Sequence, residues 1–255
     1  MRDHAVEALN HSPWLHMHSV NSTNNFLLTR PSDELVNGMT CTADIQTEGL
    51  GRRNRTWTSP LGGLYMSIVL LPKVDQKFWH LVSFVMGVAA VKSIEILYPD
   101  LNPRLKWPND ILVNQFKVAG ILVQSKSHPS PRLVVGIGVN VSTDFRLLPE
   151  RTLFPAGTLH QMSSFSIPIH KLAYAIRSNF FYGVVKWSEN PCDILSQWES
   201  LSATRNAWVT IKSDEEKFTG QYSGLSNDGG LQLLVDNRTM VFYSGDILAI
   251  VGEKS

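Results

Sequence analysis

Cysteine is nearly absent: the 255 residues include two, Cys41 and Cys192, far apart and without metal-ligand spacing. That excludes a disulfide scaffold and a cysteine-ligated zinc site, and it fits reduced thiols in a reducing compartment. Charge is scarce as well. Asp, Glu, Lys and Arg make up 18% of the chain and the formal net charge is +1. No global field therefore draws nucleic acid or a membrane surface, and recognition of an anion must be local. Residues 1–10 mix Arg2, Asp3, His4 and Glu7 and carry no apolar stretch of signal-peptide type. The longest mostly apolar runs, 64–71 and 81–91, are shorter than a bilayer span. There is no internal repeat and no low-complexity segment, and His160 and His170 have no partners at useful spacing. These absences leave a cytoplasmic globular protein without membrane contact as the expectation. Hydrophobic residues at 43% support a sizeable core, and the length fits one large domain or a large and a small one.

What is present is concentrated in a few stretches. Residues 44–60 place Gly49 and Gly51 beside Arg52, Arg53 and Arg55, with Trp57 close behind. The glycines let the backbone bend and pass near a ligand. The guanidiniums are planar, permanent cations suited to phosphate or carboxylate, and Trp57 can wall a flat ring. A solvated basic loop and a loop closing over an organic anion both fit this stretch alone. Ahead of it, Asn21 or Ser22 is a good N-cap for a helix whose apolar face starts at Phe26 and Leu27, while Ser22, Thr23 and Asn24 also offer hydroxyls, an amide and free helix-start N–H groups.

Residues 105–113 form a second such stretch, with Lys106, Pro108, Asn109 and Asp110 leading into an apolar run; Asn114-Gln115 reads as a hairpin turn and 116–124 as the returning strand. Pro108 marks a break before Asn109. Asp110 beside apolar residues must be paired, with Lys106 and Lys117 as partners, or must bind a cation such as Mg²⁺ on a nucleotide phosphate. In 133–141 the strand glycines Gly136 and Gly138 mark either a bulge or close approach of a ligand, and Asn140 can read a polar edge.

The remaining elements are structural. Residues 14–18 read as a short edge strand, 39–45 and 64–71 as strands, and 78–98, 171–187 and 191–198 as helices. A connection over 142–169 is anchored by Leu153 and Leu159. From about residue 203 four short strands, at 208–211, 217–224, 231–235 and 239–243, are divided by turns at 226–230 and 236–237, which predicts a small β-barrel.

Taken together and in order, these stretches resemble the biotin–protein ligases (biotin–[acetyl-CoA-carboxylase] ligases). The residues that carry the resemblance are Ser22-Thr23-Asn24, Gln46-Thr47, the Gly49-to-Trp57 loop with Ser59-Pro60, Lys106-Trp107-Pro108-Asn109-Asp110, Lys117 with Ala119-Gly120-Ile121-Leu122, and Gly136-Ile137-Gly138-Val139-Asn140. The resemblance implies an α/β (α+β) fold: a class II aminoacyl-tRNA synthetase-like catalytic domain with a mixed sheet and flanking helices over 1–202, and an SH3-like β-barrel over 203–255. It implies activation of biotin by ATP as biotinyl-5′-AMP, then transfer to a lysine of the biotin carboxyl carrier protein of acetyl-CoA carboxylase. By resemblance, Ser22, Thr23, Asn24 and Gln46 hold the ureido head of biotin. Leu50, Gly51, Arg52 and Lys117 lie along its carboxylate arm. Arg55, Trp57, Lys106, Asn109 and Asn140 serve ATP, with Trp57 by the adenine. Arg52, Lys117 and Asp110 are the catalytic set, with Asp110 also the candidate Mg²⁺ ligand and a group to orient the incoming lysine.

The loop departs from the family's Gly-Arg-Gly-Arg-x-Gly-Arg: Leu50 removes one guanidinium and Asn54 replaces a glycine. A lipoate–protein ligase and a non-catalytic module holding biotinyl-AMP or a carrier are the alternatives. The first motif begins at Ser22, so the expectation is a monofunctional ligase that lacks an N-terminal DNA-binding domain and does not bind DNA. Sheet edges leave homodimerisation open.

Overall fold

The computed structural model describes residues 2–127, 130–144, 146 and 154–252. In chain order the elements are α1 (Arg2–Asn10), β1 (Trp14–Val20), α2 (Thr23–Thr29), β2 (Thr40–Gln46), β3 (Gly63–Leu70), α3 (Val82–Leu97), β4 (Arg104–Lys106), β5 (Asp110–Val113), β6 (Phe116–Lys126), β7 (Arg132–Asn140), α4 (Leu159–Met162), α5 (Ile169–Glu189) and α6 (Asp193–Ser200). Five further strands follow: β8 (Ala207–Ser213), β9 (Glu216–Leu225), β10 (Leu231–Val235), β11 (Arg238–Phe242) and β12 (Asp246–Gly252).

The first seven strands form one mixed sheet in the order β1-β2-β3-β7-β6-β5-β4. Only β1 and β2 run parallel; the other pairs are antiparallel. β3 is buried at every position, as a strand covered on both faces must be. One face carries α3 and α5 over the main core. The other carries α2 over a smaller cluster of Leu27, Met39, Cys41, Val69 and Val134. The last five strands form an antiparallel sheet in the order β11-β10-β9-β8-β12. The expected mixed α/β fold is what the chain adopts, with a five-stranded antiparallel sheet where the sequence predicts a small C-terminal barrel.

Three details differ from the sequence reading. The helix expected over 78–98 begins as a 3₁₀ segment, Gln76–Leu81, where the Asp75 side chain caps Lys77 N–H; α3 follows. Together they make Gln76–Leu97 long and apolar enough to cross a membrane by length and composition, which the 81–91 run alone is not. Of its apolar 18-residue window, 67% is buried inside the protein, so it serves as a core helix. Strand β12 and helix α1 were not anticipated. Of the two anchors expected in the 142–169 connection, Leu159 is fully buried, and Leu153 lies outside the described residues.

Candidate active site

The arginine-bearing segment is a hairpin. Gln46 bridges Ser59, Leu50 bridges Thr56, and Trp57 N–H donates to Gly49 C=O at 2.8 Å. Its tip, Arg52–Asn54, is a 3₁₀ turn in which Arg53 (φ 54°) and Asn54 (φ 58°) are left-handed. That conformation costs an ordinary residue roughly 1 kcal/mol, and asparagine less, so Asn54 fills a glycine-like position without breaking the turn. The hairpin sorts its cations. Arg52 points Nη1 to Asn109 Oδ1 at 3.2 Å and has no carboxylate partner among the described residues. Burial, then the neighbouring Arg53 charge, lowers its pKa. Arg55 donates through both terminal nitrogens to the Asp246 carboxylate on β12, and Arg53 lies 3.6 Å from it. Burial pushes the Asp246 carboxyl up, but the Arg55 hydrogen bond and charge outweigh this and hold it below its ordinary value.

A polar network occupies one end of the site. Ser22 caps α2 by accepting from Asn25 N–H at 3.4 Å, which fixes the next two side chains. Thr23 donates its backbone N–H to Gln46 Oε1 at 2.9 Å, and its hydroxyl lies 2.7 Å from Ser67 Oγ. Ser67 donates to Asn24 Oδ1 at 2.6 Å, and Asn24 Nδ2 donates to Gln124 Oε1 at 2.9 Å and to Leu122 C=O at 3.3 Å. The Asn24 amide is therefore engaged by the protein itself. It fits there because position 136 is glycine: a Cβ would lie 2.1 Å from Asn24 Oδ1.

The middle of the site is a glycine floor. Gly120 on β6 faces Gly138 on β7, and Trp57 lies across both. A Cβ at 138 would sit 2.4 Å from the indole Nε1, and one at 120 would sit 2.9 Å from the ring. The Lys117 ammonium stands 5.3 Å from the indole centroid.

The other end is charged. Lys106 and Asp110 are direct partners across the β4–β5 pair, and Lys117 reaches in from β6. Asp110 takes Lys106 Nζ on Oδ2 at 2.7 Å and Lys117 Nζ on Oδ1 at 2.6 Å. Burial pushes this carboxyl up, yet the two ammoniums bring it down to about 2. Asn109 is held by donation to Ile121 C=O at 2.8 Å, and the buried Asn140 Oδ1 has no partner among the described residues. An orphaned buried acceptor is expected to meet a ligand donor.

The assignment of Asp110 as a metal ligand is not supported, because both its oxygens are committed to lysines. Among the described residues no group of three or more His, Cys, Asp or Glu is arranged to hold a metal ion.

Every site residue named from the sequence lines a single cavity of about 450 Å³: Ser22, Thr23, Asn24, Gln46, Leu50, Gly51, Arg52, Arg55, Trp57, Lys106, Asn109, Asp110, Lys117 and Asn140. Sequence reasoning missed Ser67 and Asp246, which also line it, and Gln124, which stands behind Asn24. A signal existed for Ser67, the one serine in a buried strand of otherwise apolar and aromatic residues. None existed for Asp246.

The biotin/lipoate A/B protein ligase family matches residues 17–141. The bifunctional ligase/repressor BirA of Escherichia coli is 29% identical over 248 residues, covering 92% of this chain and 73% of that protein. The biotin–[acetyl-CoA-carboxylase] ligase of Mycobacterium tuberculosis is 27% identical, over 89% of this chain and 85% of that one. Among solved structures, the biotin protein ligase from Aquifex aeolicus in complex with biotin and ATP matches with a TM-score of 0.80 at 28% identity, covering 92% of this chain and 97% of the other. The motifs, the mixed sheet and the cavity that gathers them agree with these likenesses: residues 17–141 match the biotin/lipoate A/B protein ligase family, and over nearly its whole length the chain is similar to biotin–protein ligases.

Proposed function

We propose that the protein activates biotin with ATP to biotinyl-5′-AMP and transfers the biotinyl group to a lysine of a biotin carboxyl carrier protein, that of acetyl-CoA carboxylase. The observation that carries this reading is the arrangement along one cavity: a neutral hydrogen-bonding end, an indole over a glycine floor, and a cluster of cations at the far end.

The ureido head of biotin fits the Thr23, Gln46 and Ser67 end, with Ser22 and Asn24 holding those groups in place. Trp57 and the glycine floor make a slot for the apolar arm, so we assign Trp57 to that arm and not to the adenine. Biotin's carboxylate then reaches Lys117 and Arg52. A carboxylate attacking the α-phosphorus of ATP brings two anions together, and Lys106, Lys117 and Arg52 supply the charge that makes the approach feasible. Pyrophosphate leaves from the same cationic end. In the second step the carrier amine attacks the acyl carbon and AMP departs.

Asp110 works as a positioning residue. A carboxyl held at about 2 is too weak a base for an ammonium, and its role is to align Lys106 and Lys117. Asn140, with its free acceptor, and Asn109 face the nucleotide. Mg²⁺ would enter with ATP and would share the neutralisation of phosphate charge with Lys106, Lys117 and Arg52. The division at residue 202 belongs to this reading and is supported by α6 ending at Ser200 and the second sheet beginning at Ala207.

Biotin-dependent exchange of labelled pyrophosphate into ATP tests the first step. The reading expects exchange with biotin and none with lipoate, and loss of exchange in Lys117→Ala.

A further inference from the structure

We propose that Asp246 is a positioning residue for this reaction: from the C-terminal sheet it clamps Arg55 and Arg53, holds the arginine hairpin over the cavity, and sets how long the acyl-adenylate stays bound. The inference rests on the function proposed above and adds a part played by a strand outside the mixed sheet.

Four observations carry it. Asp246 lines the same cavity as the biotin and ATP residues, although it lies on β12. Its carboxylate takes both terminal nitrogens of Arg55 and stands 3.6 Å from Arg53, so one acid spans the hairpin tip. That tip carries two successive left-handed residues and has few other ties, the Arg52–Asn109 hydrogen bond being one of them. Finally, Asp246 projects from a fixed point. Gly245 before it has φ +151°, where a Cβ would lie 2.8 Å from Lys212 C=O, and Ile247 after it is fully buried.

The electrostatic consequence follows. Three guanidiniums within four residues repel one another and favour an open tip. Asp246 pairs with the outer two and offsets one of their two charges, leaving Arg52 as the hairpin cation without a carboxylate partner among the described residues. The hairpin can then lie closed while Arg52 still faces the reacting phosphate. Removing the Asp246 charge frees the tip, which changes release more than formation.

The test uses the full chain and three versions of residue 246. Biotinyl-AMP is formed from biotin and ATP, and its escape is followed after dilution into excess unlabelled biotin. With Asp246→Asn, escape is expected to be about tenfold faster, a larger change than that in the rate of adenylate formation. Asp246→Glu is expected to restore slow escape, which a general loss of folding would not allow. Raised salt should speed escape from the wild type and leave Asp246→Asn unaffected. Equal escape from the wild type and Asp246→Asn overturns the inference, and so does fast escape from both Asp246→Asn and Asp246→Glu. A wild-type protein that forms no acyl-adenylate overturns instead the functional reading on which it rests.

Discussion

Asp110 lies between two ammoniums, and that position gives the site a pH signature. Its folded-state carboxyl titrates at about 2, below the ordinary 3.8. The unfolded chain therefore binds the proton first on acidification. The stabilisation is complete above about pH 4 and is lost as pH falls towards 2, a contribution on the order of 2 kcal/mol. Urea unfolding across this range is expected to show the wild-type advantage over Asp110→Asn shrinking as pH falls; a difference that does not vary with pH would contradict the pairing. Leu50 allows a second test at the same scale. It lines the cavity where family loops carry arginine, so Leu50→Arg is expected to slow loss of biotinyl-AMP in stopped flow. The cysteines allow a third. Burial pushes the Cys41 thiol up to about 12, so alkylation of the native protein should reach Cys192 and spare Cys41 until it unfolds. At this scale the sequence was informative wherever a residue was costly without a partner. Asp110 beside apolar neighbours pointed to Lys106 and Lys117, and both bind it. Asp246 gave no such sign, because an acid after a turn is ordinary until Arg55 arrives from far along the chain.

Among the elements, the site depends on glycines that keep two strands bare. Gly138→Ala places a methyl against the Trp57 indole, and biotin binding by titration calorimetry is expected to weaken at least about tenfold. Gly252→Ala is the control, since a Cβ there meets nothing within 4 Å. Unchanged affinity in Gly138→Ala would show that the indole does not wall the slot. Local chemistry made several elements readable in advance. Asn114-Gln115 and Asp236-Asn237 are left-handed pairs, as tight hairpins require. Helix α1 was not readable, since its hold is tertiary: Arg177 on α5 donates to the carbonyls of Leu9, Asn10 and Ser12. In β12 the register slips between Ile247 and Ala249, which breaks the alternation that marks a strand.

At the scale of the whole molecule, the two sheets share a hydrophobic core. Val209, Ile211, Leu231, Leu233 and Ile247 of the second sheet belong to the same cluster as the helices and strands of the first. Trp107, beside the reacting end, donates its indole N–H to Gly229 C=O at 3.0 Å. A core of this continuity should unfold in one transition, and denaturation followed by fluorescence and by circular dichroism is expected to coincide. The central claim is tested most directly by weighing the carrier. The full chain is supplied with ATP, Mg²⁺ and an apo biotin-carrier domain, with biotin or lipoate in separate reactions, and the carrier is analysed by mass spectrometry. The account predicts a biotin-sized gain on one lysine, absent with lipoate and absent with Lys117→Ala. A carrier left unmodified by biotin, or one that gains a lipoyl group instead, would contradict it.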